Sequence, residues 1–422
     1  FKLYHIFHDF GVLRHYIFVL KVRISYNEAY SKIHDGDVLM FYDNQPKVQQ
    51  DQYKKMLSII GNLTLLFSES TCPYLPYRAH ENIFCKYFHA DNLARFDCSA
   101  DAKQDKIGIG LKTWMGTNDQ KVAEFGKLRE TYKDLKGIDL VKKVSEYRNE
   151  RIRVTKNIYG IDKMIYHIIK RIPHMMQIIE CAFDYINVDK IAVITSRGNV
   201  NNTYFTDKNH TYHFSRSKNT LYMIFDNYDL LDEFEIEIMA DPYHYLMNAT
   251  TAYVTTEMIR QQIPDDSNKL CLRLYSSNSK HGKFVAEKSG LNQWNAGGRR
   301  RNVNEIYIPY PVGDRHRSEG FFPSRDTVFD LLMPDGTVIP TKICQDDGKA
   351  IMSNPNSVLG EWLLRKVFEL PERTLVTYEM LEKFGVDSVI FTKLEEGKYK
   401  IDFSETGTYE NFIKNTNDNQ GE

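Results

Sequence analysis

The sequence predicts an α+β protein, in which a helix-flanked sheet occupies the front of the chain and a β-rich domain follows it. Apolar residues recur at helical spacing over residues 48–68 and 138–157, and short apolar strands lie between and after these segments. Beyond residue 289, strand pairs closed by turn residues such as Pro334-Asp335-Gly336 predominate. The 422 residues are enough for two or three domains, each with its own core.

Composition narrows the class of protein but does not select a function. The net charge of −1 neither supports nor excludes a nucleic-acid partner. The six cysteines form no CxxC pair, which argues against a zinc site or a disulfide framework and predicts free thiols. No apolar run approaches 18 residues and no signal peptide is recognisable, so we expect a cytoplasmic protein without membrane contact.

A polar stretch at residues 276–283, SSNSKHGK, is typical of a loop between domains. We therefore predict a first domain at residues 1–275, a linker at 276–290 and a second domain at 291–410. The polar residues 411–422 are predicted to be a disordered tail.

The residues best suited to chemistry lie in a helix and a strand pair of the first domain. Glu81 belongs to a predicted helix, and residues 96–100 read as a strand that ends at Asp101. After a polar turn, residues 107–111 alternate as a second strand, with Lys112 on the face opposite its apolar residues. Two carboxylates and a lysine that meet at a sheet edge can hold Mg²⁺ and help to activate a water molecule.

This pattern resembles the PD-(D/E)XK nuclease core, which has a helical acid, an aspartate closing one strand, and acid-x-Lys on the next. The resemblance implies that Glu81 is the helical acid, Asp101 the metal-bridging aspartate and Lys112 the motif lysine. The sequence departs from the pattern at Gly110, where a second acid is expected, so either Glu81 or Glu124 would supply that carboxylate. The same spacing also fits an ordinary hairpin with a turn aspartate and a surface lysine.

Other chemistries are less well supported. His210 and His213 are three residues apart, which places them on opposite faces of a strand, and no third metal ligand is evident. A phospholipase-D-type frame beginning at His281 has Lys288 where that chemistry needs aspartate. The polar and aromatic residues 195–218 suit phosphate and base contacts, and they suit a polar hairpin equally well.

The end of the chain carries a second resemblance. Its ordered segments are SGLNQWN, GRRRNVNEIYIPYP, FFPSRDTVF, QDDGKAIMSNPN, LGEWLLR and GVDSVIF. They closely resemble the C-terminal DNA-binding domain of NgoFVII-type restriction endonucleases, a B3-like β pseudobarrel whose two arms clamp the major groove. The resemblance implies DNA contacts among Arg299, Arg300, Arg301, Arg325, Gln345, Lys349, Ser353 and Asn354. Arginine suits guanine, and asparagine or glutamine suits adenine. The alternative for the three consecutive arginines is that they only neutralise phosphates, which positions the duplex without reading its sequence.

Together the two resemblances imply a type II restriction endonuclease that hydrolyses phosphodiester bonds of double-stranded DNA with Mg²⁺. They also imply a cognate DNA methyltransferase in the same restriction-modification system. Because one active site cuts one strand, a homodimer or sequential nicking is expected. The alternative is a non-catalytic, sequence-specific DNA-binding protein with a degenerate nuclease domain, a reading that Gly110 favours.

Overall fold

The computed structural model describes residues 40–94, 98–116, 119–199, 201–253 and 268–418. Residues 1–45 form a unit of their own, described from residue 40 onward. There the N–H of Gln45 donates to the carbonyl of Tyr42 at 3.1 Å and closes a turn. Residues 46–422 form the second unit, which contains every element named below.

Amphipathic sequence accounts for the principal helices. In chain order the helices are α1 Lys47–Asn62, α2 Tyr77–Phe88, α3 Gly137–Tyr159, α4 Pro242–Tyr253, α5 Val312–Arg317, α6 Val358–Gly360 with its π-helical continuation Glu361–Val367, α7 Tyr378–Phe384 and α8 Thr408–Asp418. Helix α3 buries Leu140, Val141 and Val144 on one stripe, as its periodicity predicts. Helix α2 buries Ile83 and Phe84 in the same way.

The strands fall into three larger sheets and one two-stranded sheet among the described residues. In chain order they are β1 Asp91–Asn92, β2 Ala102–Gln104, β3 Ile107–Trp114, β4 Gln120–Glu124, β5 Lys163–Ile172, β6 Met175–Ala182, β7 Ala192–Asn199, β8 Asn202–Thr206, β9 Thr211–Ser215, β10 Thr220–Ile224, β11 Asp229–Glu235, β12 Lys269–Arg273, β13 Ser276–Asn278, β14 Gly282–Phe284, β15 Ile308–Pro309, β16 Val328–Leu332, β17 Val338–Cys344, β18 Ala350–Ser353, β19 Ser388–Glu395 and β20 Lys398–Ser404.

The first sheet has the order β1-β2-β3-β5-β6-β11. Strands β2 and β3 form an antiparallel hairpin, whereas β3 and β5 run parallel in register from Ile107 opposite Lys163 to Trp114 opposite Lys170. A parallel neighbour requires a crossover connection, and α3 lies within the one that joins β3 to β5. The second sheet, β4-β10-β9-β8-β7, is antiparallel throughout.

The third sheet has the order β12-β19-β20-β16-β17-β18-β15. Strands β16 and β20 are parallel, and the remaining neighbours are antiparallel. The two edge strands β12 and β15 approach one another, so the sheet closes nearly into a barrel. Its interior is filled by large apolar side chains such as Phe329, Phe391 and Tyr399.

The domain limits differ from those expected from composition. Strand β12 pairs with β19, so the barrel begins before residue 275. Residues predicted as a linker form the β13–β14 hairpin. Part of the predicted disordered tail belongs to α8, because that helix packs against β12 and Glu410 binds Tyr275 and Lys283.

Helix α3 joins the front of the second unit to the barrel. Arg153 on α3 forms an ion pair with Glu369 at 2.8 Å and donates to the carbonyl of Phe368 at 3.1 Å. Asn157, one turn further on, donates to the carbonyl of Val367 at 3.2 Å. A single cluster of buried apolar residues includes members of all three larger sheets. The helix that connects β3 with β5 is therefore also the helix on which the barrel rests.

A search of the described residues for a helix long and apolar enough to cross a bilayer finds none.

Candidate functional site

Asp101 is held in place by both its backbone and its carboxylate. Its N–H donates to the carbonyl of Ile109 at 2.8 Å, and its carbonyl accepts from Leu93 at 2.9 Å, so it sits directly before β2 within the ladder. Its Oδ2 accepts from the N–H of Leu111 at 2.7 Å and from the Lys112 Nζ at 3.3 Å. Asp101 and Lys112 therefore meet across the hairpin, as their spacing predicts.

The limits of the surrounding strands differ from those expected, since β3 extends from Ile107 to Trp114. Residues 95–97, part of the strand predicted for 96–100, lie outside the described residues. Ala102–Gln104, predicted to be a turn, pairs with Ile107–Ile109 as β2, and the turn itself contains Asp105 with φ of 51°. The turn is thus tighter than polarity alone suggested, and Asp101 precedes a strand and does not end one.

Glu81 on α2 is the second carboxylate of the site. The residue is 7% exposed, and its Oε2 lies 2.9 Å from Arg78 Nη1. Burial, followed by the negative charge of Asp101, raises the pKa of Glu81, while Arg78 opposes that shift. Because Asp101 acts on Glu81 electrostatically, the two acids share one neighbourhood.

Lys112 is cationic at neutral pH. Burial lowers the pKa of Lys112, but Asp101, the phenol of Tyr166 and Glu81 together raise it above its ordinary value. Its side chain retains 24% exposure, so the ammonium can reach a ligand. A lysine in this state donates hydrogen bonds and supplies positive charge, and it is poorly suited to accept a proton.

Glu124 lies elsewhere. It is the last residue of β4, which pairs with β10 in the second sheet. Its exposed carboxylate forms an ion pair with Lys121 at 2.5 Å. Of the two acids that the sequence left open as the replacement for the one missing at position 110, Glu81 is the one that lies beside Asp101.

Side-chain packing explains why position 110 is a glycine. Gly110 lies opposite Tyr166 of β5, and the Tyr166 ring stacks on Phe183 at 4.1 Å with planes 6° apart. A Cβ atom at position 110 would stand 2.7 Å from the Tyr166 ring and 2.9 Å from the Phe183 ring. A carboxylate therefore cannot occupy this position without displacing the stacked pair.

The sequence does not reveal a buried polar network behind the site. The Tyr53 hydroxyl bonds to Nε2 of His80 at 2.9 Å and to Nε2 of His167 at 3.0 Å. His167 Nδ1 lies 2.8 Å from Glu180. His80 directly precedes Glu81, so the network holds α2 against β5. Only the parallel pairing of β3 with β5 brings these residues together, and that pairing has no local sequence signal.

These histidines make stability depend on pH. Burial lowers the pKa of His167 to about 3. Burial, with smaller effects of His167 and Lys112, holds the pKa of His80 well below its ordinary value. Below pH 6.5 the unfolded chain therefore binds more protons, and the free energy of unfolding should fall by about 1.4 kcal/mol per pH unit for each histidine. Above that pH the contribution is fully present.

Urea unfolding at pH 7.5, 6.0 and 5.0 measures this dependence. A His167→Gln protein should be less stable than wild type at pH 7.5 and should lose less stability on acidification. His281→Gln, at an exposed position, serves as the control and should keep the wild-type slope. An unchanged slope in His167→Gln would show that His167 is not held neutral in the folded protein.

A divalent cation fits the acids of the site, although they do not form a cage. Within the described ranges, no group of three or more His, Cys, Asp or Glu side chains is arranged to hold a metal ion. Mg²⁺ is commonly bound through one or two carboxylates, with water and substrate phosphate completing its shell. Asp101 and Glu81 supply two carboxylates that repel one another, and a cation would relieve this repulsion.

In the barrel, the three consecutive arginines have different environments. Glu305 is 1% exposed and binds Arg299 at 2.6 Å and Arg301 Nε at 3.4 Å. Arg301 also donates to the carbonyls of Ala296 and Gly297, at 2.7 Å each. Arg300 is exposed. Arg301 thus stabilises the turn from within, while Arg299 and Arg300 present their side chains to solvent.

The other predicted DNA contacts lie mostly at the surface. Arg325, Lys349 and Asn354 are exposed, and Gln345 is half-buried. Ser353 differs from them, because it is 1% exposed and its hydroxyl accepts from the N–H of Leu359 at 2.9 Å. Its bond supports the start of α6, so the side chain is engaged inside the barrel.

Most of the barrel sequence matches a known domain family. Residues 263–395 match the family described as NgoFVII C-terminal B3-like DNA-binding domain. The match spans β12 to β19, and the nearly closed barrel fits a B3-like domain. It includes all the arginines and polar residues predicted to contact DNA, and it supports double-stranded DNA as a partner. No curated protein matches the chain.

Proposed function

We propose that this protein is a sequence-specific restriction endonuclease that hydrolyses phosphodiester bonds of double-stranded DNA with Mg²⁺. The observation that carries the proposal is the Asp101 carboxylate, which is fixed by the Leu111 N–H and the Lys112 ammonium with buried Glu81 beside it. The segment that matches a DNA-binding domain, residues 263–395, lies in the same compact unit.

The site residues have distinct tasks in this proposal. Asp101 and Glu81 would hold Mg²⁺, which when bound supplies Lewis-acid stabilisation and a more acidic water. Lys112 remains protonated, so it would donate a hydrogen bond to the scissile phosphate and offset the charge that develops there. Arg78 keeps Glu81 in place through an ion pair at 2.9 Å. The network around Tyr53 supports α2 from behind.

The order of elements supports the same interpretation. Helix α2 contributes the helical acid, the β2–β3 hairpin contributes the aspartate and lysine, and α3 crosses to the parallel strand β5. These are the neighbouring elements on which the resemblance to the PD-(D/E)XK core depends. Tyr166 fills the space at position 110, so in this proposal Glu81 would serve as the second carboxylate.

Docking of the barrel on α3 links DNA binding to this chemistry. The contacts of Arg153 and Asn157 with residues 367–369, at the end of α6 and just beyond it, are short, and the apolar cluster is continuous. DNA gripped by the barrel would therefore be presented to the nuclease site at a fixed offset. Cleavage at a constant distance from the recognition sequence is the expected outcome.

Two isosteric substitutions test the proposal. Asp101→Asn and Lys112→Met should bind DNA with wild-type affinity and reduce cleavage by about 1,000-fold or more, because each removes several kcal/mol of transition-state stabilisation. Asp105→Asn and Lys106→Met, in the exposed turn of the same hairpin, are the matched controls and should cut normally. Plasmid cleavage with Mg²⁺ and with EDTA, alongside a gel-shift assay, gives both readouts.

Wild-type cleavage by either Asp101→Asn or Lys112→Met would remove that residue from the catalytic site. The second candidate, a non-catalytic DNA-binding protein, is favoured by Gly110 and by the lack of a third acid in the described site. It predicts a specific gel shift with no cleavage of any DNA by the wild type, in Mg²⁺ or Mn²⁺.

Two partners follow from the proposed activity. One catalytic site per chain requires either a second copy or two successive nicks for a double-strand break, and early accumulation of nicked plasmid distinguishes nicking. A cognate DNA methyltransferase would protect the host's own recognition sites. Methylated plasmid from a strain that carries both proteins should then resist cleavage.

A further inference from the structure

The barrel contains a cleft that the proposed DNA grip does not explain. Its volume is about 250 Å³, and its walls come from α5, residues 318–325, β17 and the turn before β18. This volume lies below the roughly 300–1,000 Å³ of clefts for drug-sized ligands. An occupant of the size of a single heterocycle is therefore expected.

The floor of the cleft is aromatic and rigid. Phe322 meets Tyr310 edge-on, with ring centroids 5.5 Å apart and planes at 85°. Phe322 also stacks on Phe329, with ring centroids 5.5 Å apart and planes 22° apart. Ile343 completes the apolar lining. An aromatic lining of this kind suits a flat aromatic group.

The rim carries charges of both signs. Arg315 and Arg325 lie on it together with Glu319 and Asp347. Within the described part of the chain, no ion pair engages Arg315 or Glu319, so both remain available to a ligand. Guanidinium groups bind phosphate, and carboxylates accept hydrogen bonds from exocyclic amino groups. The rim and floor together suit a nucleotide whose base carries an amino group.

The walls of the cleft also carry predicted DNA contacts. Arg325 lines it directly, while Gln345 and Lys349 flank the turn that contributes Asp347. In that turn Gln345 and Asp347 have φ of 65° and 57°. Non-glycine residues keep this conformation only where their surroundings enforce it, and such positions cluster at ligand sites. The cleft therefore opens at the surface where DNA is expected.

We propose that this cleft receives one nucleobase turned out of the bound duplex, and that the base is one that carries an exocyclic amino group. The inference rests on the DNA-binding part of the proposed function and is independent of cleavage. Stacking on Phe322 would offset the cost of unpairing the base. Glu319 and Asp347 would accept from its amino group, and thymine, which presents carbonyl oxygens there, would be rejected.

The sign of a mismatch effect tests this inference. The full chain is first used to select its binding sequence from a random duplex library. At each position of that sequence, the base on the complementary strand is then changed to create a mismatch. The base to be read stays the same but loses its pairing partner. Turning a base out of the duplex normally requires breaking its base pair, and a mismatch removes that cost. At the position where the base is turned out, the mismatched duplex should therefore bind about tenfold more tightly. A base read within the duplex gains nothing from a mismatch.

Variants assign that effect to the cleft. The double substitution Glu319→Gln with Asp347→Asn should abolish the preference for an amino-bearing base over thymine at the responsive position. Glu395→Gln, an exposed carboxylate of the barrel that does not line the cleft, is the control and should behave as wild type. A mismatch gain at no position, or a base preference unchanged in the double variant, would overturn the inference.

A further arm separates a DNA base from a free nucleotide. Cytidine, adenosine and guanosine monophosphates are titrated calorimetrically into the full chain without DNA. Binding that the double variant abolishes, with no mismatch gain in the duplex series, would assign the cleft to a free nucleotide and overturn the proposal. Failure to select any sequence would instead refute DNA binding itself, which keeps the two proposals distinguishable.

Discussion

Gly110→Asp should destabilise the protein by about 3–5 kcal/mol and should not improve cleavage, although it restores the acid that the nuclease motif lacks. The new Cβ would stand 2.7 Å from the Tyr166 ring, closer than real Cβ contacts occur. Tyr166 cannot easily move, because it stacks on Phe183 and its hydroxyl accepts from Arg148 at 3.4 Å. The clash therefore falls on the core of the first sheet.

The expected magnitude has two parts. Overpacking a well-filled core costs about 1–3 kcal/mol. A buried carboxylate without a matched partner adds a further penalty of about 2 kcal/mol or more, or it takes up a proton. Gly110→Ala carries the first cost alone and should lose about 1–3 kcal/mol. Comparing the two variants by urea unfolding separates steric from electrostatic effects.

A double substitution identifies the neighbour responsible. Tyr166→Ala removes the ring that position 110 would meet, so Gly110→Asp should cost less in that background than in wild type. The coupling between the two changes should exceed about 1 kcal/mol. If Gly110→Asp were as stable as wild type and cut DNA faster, the site would have room for a second acid, and the packing explanation would be wrong.

Local pattern was sufficient for the pair at the centre of the site. Period-two alternation places Lys112 on a known face of β3, and the short turn brings Asp101 close to it. Both inferences depend on residues within a dozen positions of one another. Helical periodicity likewise predicted α3, the helix that supports the barrel, to within two residues at each end.

Features that depend on distant pairing could not be predicted in this way. Glu124 is about as close to Asp101 in the sequence as Glu81 is, but β4 joins β10, almost 100 residues later, in a different sheet. The barrel boundary was misplaced because β12 pairs with β19, more than 100 residues away. Position 110 departs from the motif because Tyr166, on a parallel strand distant in sequence, occupies the space that a side chain would need. Composition and alternation show which face of a strand is buried, but they do not show which strand covers it.

Gly360→Ala is the second substitution with a large expected effect, and it acts on the DNA-binding half. Gly360 has ordinary helical geometry, with φ of −73° and ψ of −33°, so glycine is not needed there for its backbone freedom. An added Cβ would overlap the carbonyl oxygen of Asn304 and stand 2.7 Å from its carbon. Because these are backbone atoms, no side-chain rotation can relieve the overlap.

The segment that must yield is the one that carries Arg299 and Arg300. Arg365 on α6 binds it through Asn304 Oδ1 at 2.7 Å and the Val303 carbonyl at 2.9 Å. Moving α6 away from Asn304 therefore breaks these bonds and displaces the basic turn. We expect a loss of about 3 kcal/mol or more in the free energy of unfolding, since the overlap involves main-chain atoms in a packed core.

DNA affinity distinguishes displacement of the turn from a general loss of stability. At a temperature where the Gly360→Ala protein remains folded by circular dichroism, its affinity for duplex DNA should still fall about tenfold or more, because the arginines no longer face the phosphates together. Gly297→Ala, in the same turn, has no atom within 4 Å of the added Cβ and should leave stability and affinity unchanged. Wild-type affinity in folded Gly360→Ala would mean that the turn at residues 299–301 does not help to hold the duplex. The DNA contacts would then have to lie elsewhere on the barrel, for example around Arg325 and Lys349.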